Sequence, residues 1–293
     1  MPYVFLLSAI IFSASLSILG TCFNAKNKER KHISNLYNLF ISCSAFISWL
    51  VIYIFDFSFE PLVLLYSAGY GICYTLAIIG HIKALKCGSI ALTAFIKQTS
   101  LVCVSFWGFA FWNTPLTKNT LIGLVLIAIA LFLCFFTGNK KQTDESQKPI
   151  TLKWVIYASL LLIGNSGCSI VQRYEQMAFE GKHGSMLMVF ASVFSALVCL
   201  VLFMREEKSD WKIFVKTSWY FPTLVGISSA VLNLFIILMV STTLSPSVIY
   251  PGIAVGGFTI TTLFSVLVFK ERLKFSQWIG LTIGVVALVF LNI

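Results

Sequence analysis

The sequence predicts an all-α membrane protein of ten transmembrane helices arranged as two inverted five-helix repeats. Three observations predict it. Of 293 residues, 58% are hydrophobic and only 11% charged, with a mean hydropathy of +0.90, whereas a soluble domain carries about 25% charged residues. Ten apolar stretches approach the roughly 20 residues that a membrane helix needs. Basic residues gather in alternate connections between those stretches.

The stretches run roughly over 2–23, 33–54, 61–85, 87–112, 119–138, 152–174, 184–204, 218–241, 246–269 and 275–292. Lipid offers no partner for open backbone groups, so each is expected to be a helix. The first lacks a basic leading segment and a small-residue cleavage site, and reads as a retained helix rather than a signal peptide. In the third, Tyr70, Tyr74 and His81 fall near one face. The two tyrosines are suited to stacking on an organic solute or taking a cation on their rings. His81, near the end of its helix, reads as an interfacial imidazole.

The fourth stretch carries a single charge, Lys97, about nine residues in. At 1.5 Å per residue this is roughly 14 Å from the helix start, near the middle of a hydrocarbon core about 30 Å thick. An ammonium there is costly and implies a polar or water-filled surrounding. Ser89, Thr93, Lys97, Ser100, Val104 and Trp107 share one helical face, as spacings of three and four require. That face reads as a cavity wall whose ammonium meets a carboxylate or phosphate on a solute. The structural alternative is a lysine bonded to backbone carbonyls, or one snorkelling to an interface.

After the fifth stretch comes the longest polar segment, Asn139–Lys148, followed by Pro149. It reads as a solvated cytoplasmic linker that divides the chain into a first repeat, 1–138, the linker, 139–150, and a second repeat, 151–293. The sixth stretch holds Gly164-Asn165-Ser166-Gly167 and the eighth holds Ser228, Ser229 and Asn233. Amides need partners in lipid, supplied either by a solute or by a neighbouring helix. The ninth opens on Pro246-Ser247 and carries Tyr250-Pro251. Pro251 leaves the Ser247 carbonyl without its helical donor, which exposes an acceptor or simply kinks the packing; Tyr250 is expected to line or gate the mouth. Ala254, Gly257, Phe258, Thr261 and Ser265 form a small-residue face suited to close packing.

Two features support duplication. Phe111–Leu133 set against Val268–Phe290 gives six identities in 23 positions, including Ile122/Ile279, Gly123/Gly280 and Ala130/Ala287. Charge supplies the second. Odd-numbered connections hold 17 basic residues, even-numbered ones hold Lys118, Arg173 and Lys182, and Lys97 stands apart. The positive-inside rule then puts odd connections in the cytoplasm and both termini outside. The first connection is basic while its second-half counterpart is balanced, as inversion of the second copy demands.

With ten stretches in two halves, the ending Val268-Phe269-Lys270-Glu271-Arg272-Leu273, followed by Gln277-Trp278-Ile279-Gly280 and Gly284, resembles the EamA-type branch of the drug/metabolite transporter superfamily. Leu244-Ser245-Pro246 fits as well. The resemblance implies a ten-helix carrier with a central cavity, moving metabolites by alternating access. Three departures accompany it: Thr114 stands where Glu271 has its first-half counterpart, the Trp-Gly pair of the first and sixth spans is missing, and the basic residues favour the opposite loops.

Other functions find little support. There is no GxSxG, HExxH or GxxxxGK[ST] motif, so no enzyme is expected. The eight cysteines show no CxxC spacing, so neither a metal site nor a redox pair is expected. The formal charge of +10 follows membrane side, which argues against nucleic acid. The eleven acidic residues are expected in or beside connections, Glu175 and Glu180 among them. No membrane-embedded carboxylate is therefore expected, which weighs against proton-coupled cation efflux and favours a neutral, zwitterionic or anionic solute.

The expectation is thus a secondary transporter of a small polar metabolite in the cell or inner membrane, acting as monomer or homodimer without a bound cofactor. Its expected site comprises Lys97, Thr93, Ser100, Trp107, Tyr70, Tyr74, Asn165, Asn233 and Tyr250, with Pro251 as a kink. The alternatives are a flippase for an isoprenoid-phosphate-linked sugar, and a membrane scaffold or sensor that transports nothing.

Overall fold

A computed structural model describes residues 2–27, 33–87, 90–112, 117–136, 151–205, 211–240, 242, 244–268 and 275–292. Among these the chain is helical, without strands. The helices are α1 (Pro2–Lys26), α2 (Ser34–Phe55), α3 (Val63–Cys87), α4 (Ile90–Phe111), α5 (Lys118–Phe136), α6 (Leu152–Ala178), α7 (Gly184–Met204), the short α8 (Trp211–Thr217), α9 (Tyr220–Val240), α10 (Pro246–Val268) and α11 (Phe275–Asn292). Six of them, α1, α2, α3, α6, α7 and α9, are long and apolar enough to cross a membrane. Described apolar runs in α4, α5 and α10 are shorter, at Val102–Phe111, Leu121–Ala130 and Val248–Phe264. Several sequence features lie outside the described residues: Lys28 to His32, Ser89, Thr114, the linker 139–150, Glu206 to Asp210, and the Phe269–Lys274 part of the family-like ending.

Local chemistry sets the limits of α6. Thr151 caps its start, its hydroxyl accepting from the Trp154 amide at 3.2 Å. At the other end Glu180 and Gly181 both take positive φ, 54° and 75°, and the Gly181 amide donates to the Gln176 carbonyl at 3.0 Å. That left-handed reversal satisfies a carbonyl that a helix end would otherwise orphan. It also corrects one expectation. Arg173 and Glu175 do not belong to a connection; they lie inside α6, and Glu175 is fully buried.

Most described helices pack in pairs whose pattern is nearly unchanged when α1–α5 are exchanged in order with α6, α7, α9, α10 and α11. Thus α3 packs on α6 as α9 packs on α1, α2 on α9 as α7 on α3, and α1 on α10 as α6 on α4. Pairs α2–α7, α4–α10 and α5–α11 map onto themselves. The α3–α6 seam is the most extensive. It runs antiparallel, with Gly80 opposite Tyr157 and Leu161, Gly164 opposite Cys73 and Ala77, and Gly69 opposite Val171. A Cβ on Gly164 would lie 2.5 Å from the Cys73 carbonyl oxygen and the Ala77 nitrogen, so backbone touches backbone there. Gly256 and Gly257 instead make room for side chains of α1, those of Ile10 and Ser13.

The bundle has two distinguishable ends. At one, Ser58 of the α2–α3 connection donates to the Lys182 carbonyl and bonds the His183 ring, at 3.2 and 2.9 Å. At the other, Lys26 donates to the Thr217 carbonyl and the Tyr220 hydroxyl, both at 3.0 Å. These are called the Ser58 end and the Lys26 end below. The exterior is rich in large apolar side chains, Phe55, Leu65, Ile163, Leu197 and Leu267 among them. An apolar exterior of this kind suits lipid rather than water.

Candidate functional site, a polar track along α6

Asn165, Ser169, Gln172 and Gln176 lie along one side of α6, with Ser166 and Glu175 at its two opposite edges. From Asn165 to Gln176 the track covers about 16 Å of helix. All but Asn165 are buried. A polar side on a buried helix is costly unless its groups find partners, so the fate of each group matters.

At the Lys26-end of the track the partners come from α4. The Asn165 amide donates to Ser100 Oγ at 2.5 Å, and that hydroxyl donates to the Lys97 carbonyl at 2.6 Å. Ser166 Oγ donates to the Ser100 carbonyl at 2.9 Å. Lys97 is therefore held beside the track, one turn from Ser100. It is the eighth described residue of α4. Its side chain is half-buried, and among the described residues its ammonium makes no hydrogen bond or ion pair. His81 of α3 stands within electrostatic reach.

Midway along the track, α3 and α9 contribute. Cys168 Sγ lies 3.9 Å from the Tyr70 carbonyl. The Tyr70 hydroxyl donates to Asn233 Oδ1 at 3.4 Å, while the Asn233 amide donates to the Ser229 carbonyl in its own helix at 2.9 Å. Tyr70 and Tyr74 stack with centroids 6.2 Å apart. Tyr250 is buried and within electrostatic reach of both Tyr70 and Arg173. Pro251 lies inside α10 and is buried beside it.

Two expected residues stand elsewhere. Thr93 is fully buried and accepts from the Trp154 indole at 3.2 Å, so its hydroxyl is occupied by helix packing. Trp107 is 37% exposed, stacks on Phe111 at 4.3 Å and donates to the Tyr174 hydroxyl at 3.2 Å.

Toward the Ser58 end the track changes character. Gln172 Nε2, both Glu175 oxygens, both Gln176 side-chain polar atoms and the Tyr250 hydroxyl are buried without a hydrogen-bond partner among the described residues. Ser105 Oγ and Trp112 Nε1 share this state, and Trp112 meets Tyr174 of α6 edge-on at 5.8 Å. Sequence reasoning does not single out Ser169, Gln172 or Gln176, and it places Glu175 with the connection after the sixth stretch. The signal was present: the 165-169-172-176 spacing continues the polar side through Arg173.

Long apolar helices, an apolar exterior and a buried polar track are features of a multi-pass helical membrane protein. No protein-family model matches the chain. It is similar to an uncharacterized protein of Haemophilus influenzae, 24% identical over 213 residues that make up 70% of this chain and 67% of that protein. A solved structure, described only as the crystal structure of a protein, resembles it with a TM-score of 0.68 at 13% identity, covering 99% of this chain and 95% of that one. That likeness concerns the fold alone, and neither description names an activity.

Proposed function

We propose that this protein is a secondary transporter that moves a small polar metabolite, amino-acid-like, zwitterionic or anionic, by alternating access. Lys97 carries the reading. An ammonium inside the bundle, half-buried and lacking a carboxylate partner among the described residues, is ready for an anionic group that arrives and leaves. Its backbone is tied to the polar track through Ser100 and Asn165. Tyr70, beside Cys168 of α6, bonds Asn233 and stacks on Tyr74, a group suited to stacking and hydrogen bonding. The exchange pattern of helix packing supports two repeated halves, and five crossings in each would invert the second, a common transporter design. The sequence resemblance to EamA-type transporters also supports this reading.

A library of candidate solutes, screened by thermal shift on the purified protein, identifies the ligand because selective binding stabilises the folded state. Uptake or exchange of that solute in vesicles is then expected to vanish in Lys97→Ala while the variant inserts and folds. Unchanged transport by a well-inserted variant overturns the role given to Lys97.

A further inference from the structure

We infer that Glu175, Gln172 and Gln176 form a site for a monovalent cation, a proton or an alkali-metal ion, toward the Ser58-end of the track. Its gradient would drive the solute carried at Lys97; that second clause rests on the transport reading, whereas cation binding itself does not.

Three observations carry it. Glu175 is fully buried, and neither carboxylate oxygen has a hydrogen-bond partner among the described residues. An ionised carboxylate in that state is costly, so it needs a proton or a cation. Gln172 stands three residues from Glu175 and four from Gln176, spacings that make them neighbours on the helix surface. Yet the Gln172 amide nitrogen, the two carboxylate oxygens and both Gln176 polar atoms bond neither to one another nor to anything else described. Complementary groups one turn apart that stay unpaired leave their acceptors free for a guest. Finally, no described basic side chain neutralises Glu175. Arg173 lies two residues away, about 200° around the helix, and Tyr250 is among its electrostatic contacts.

The remaining ionisable neighbours do not supply the charge. Val171, Glu175 and Phe179 form one row of α6; Val171 meets Gly69 of α3 and Phe179 meets Tyr66 edge-on at 6.0 Å. Glu175 therefore faces α3 between these contacts, where Tyr66 and Tyr70 are the ionisable groups. From α7 and the connections come His183, bonded to Ser58, Asp56, bonded to Ser185 at 3.3 Å, and Glu60. From α10 comes Tyr250, and α9 offers no ionisable side chain at this level. Lys182 is committed to Glu180 at 2.8 Å.

The test is thermal unfolding of the full-length protein in lipid nanodiscs, over about pH 5 to 9, an interval in which buried carboxyl groups titrate, in sodium chloride or in N-methylglucamine chloride of equal ionic strength. A proton site predicts that the wild type loses thermal stability as pH rises whichever salt is present, and that Glu175→Gln flattens this dependence. An alkali-metal site predicts that sodium restores stability at the alkaline end, again only with Glu175 present. Gln172→Leu and Gln176→Leu, which keep the carboxylate, are expected to shift the midpoint of whichever response is seen; they also serve if Glu175→Gln does not fold. Wild type and Glu175→Gln responding in parallel to pH and sodium, or a wild type indifferent to both, overturns the site. Neither result depends on the solute, so failure here leaves the Lys97 proposal standing and the reverse also holds.

Discussion

Ser100 shows how a single hydroxyl can organise a site. It has one proton to give and lone pairs to receive, and it uses both: it donates to the Lys97 carbonyl and accepts from Asn165. The same bond that ties α4 to α6 therefore fixes the turn from which the ammonium projects. Asn165 can serve as helix glue, as a solute ligand, or as both, and the two uses separate experimentally. A double-mutant cycle with Ser100→Ala and Asn165→Ala is expected to give a coupling of about 0.6–1.7 kcal/mol, the range of interhelical hydrogen bonds in membranes. Reversible unfolding in mixed micelles measures it. A coupling near zero would mean that the bond contributes nothing to folding and that the asparagine is kept for another purpose.

At the scale of elements, the α3–α6 seam decides whether the track exists in this form. Gly80 and Gly164 let two backbones touch, which brings Tyr70 alongside Cys168 and leaves Asn165 and Ser166 of α6 turned toward α4. Gly164→Ala would press a methyl against main-chain atoms that cannot swing aside. The expected loss is about 1–3 kcal/mol, typical of overpacking, read as a lower melting temperature. Gly20→Ala is the control, since its new Cβ would meet nothing nearer than the Tyr37 hydroxyl at 3.8 Å; equal effects in both would refute the close-contact account. This seam also explains what was legible beforehand. Apolar length and helical spacing announced helices near their observed places, and the Lys97-Ser100 face of α4 could be read from periodicity alone. Partner choice could not. Nothing in local pattern said that the Gly164 gap holds a neighbouring backbone, that the Thr93 hydroxyl is taken by Trp154, or that α6 continues past Arg173 to bury Glu175. Each of those depends on a residue remote in sequence.

For the whole molecule the open matter is which way it sits. Packing groups the α2–α3 and α6–α7 connections at the Ser58 end, and the end of α1 with the α8–α9 turn at the Lys26 end. Moving Arg173 out of the connections sharpens the charge contrast between the ends, because only Lys118 and Lys182 then remain among basic residues of the even-numbered connections. Lys83 near the end of α3, Lys153 in the first turn of α6, and Lys212 and Lys216 of α8 all sit toward the Lys26 end. The number of basic residues near helix ends governs orientation more strongly than net charge, so this end is expected in the cytoplasm. Ten crossings would return the chain to the side on which it began. A reporter that works only outside the cytoplasm, fused after Ile293, is accordingly expected to be active, and a cytoplasm-only reporter at the same point silent. The reverse pair of results would place the Lys26 end outside. It would also turn the proposed cation site toward the cytoplasm, so that an inward gradient would reach Lys97 before Glu175.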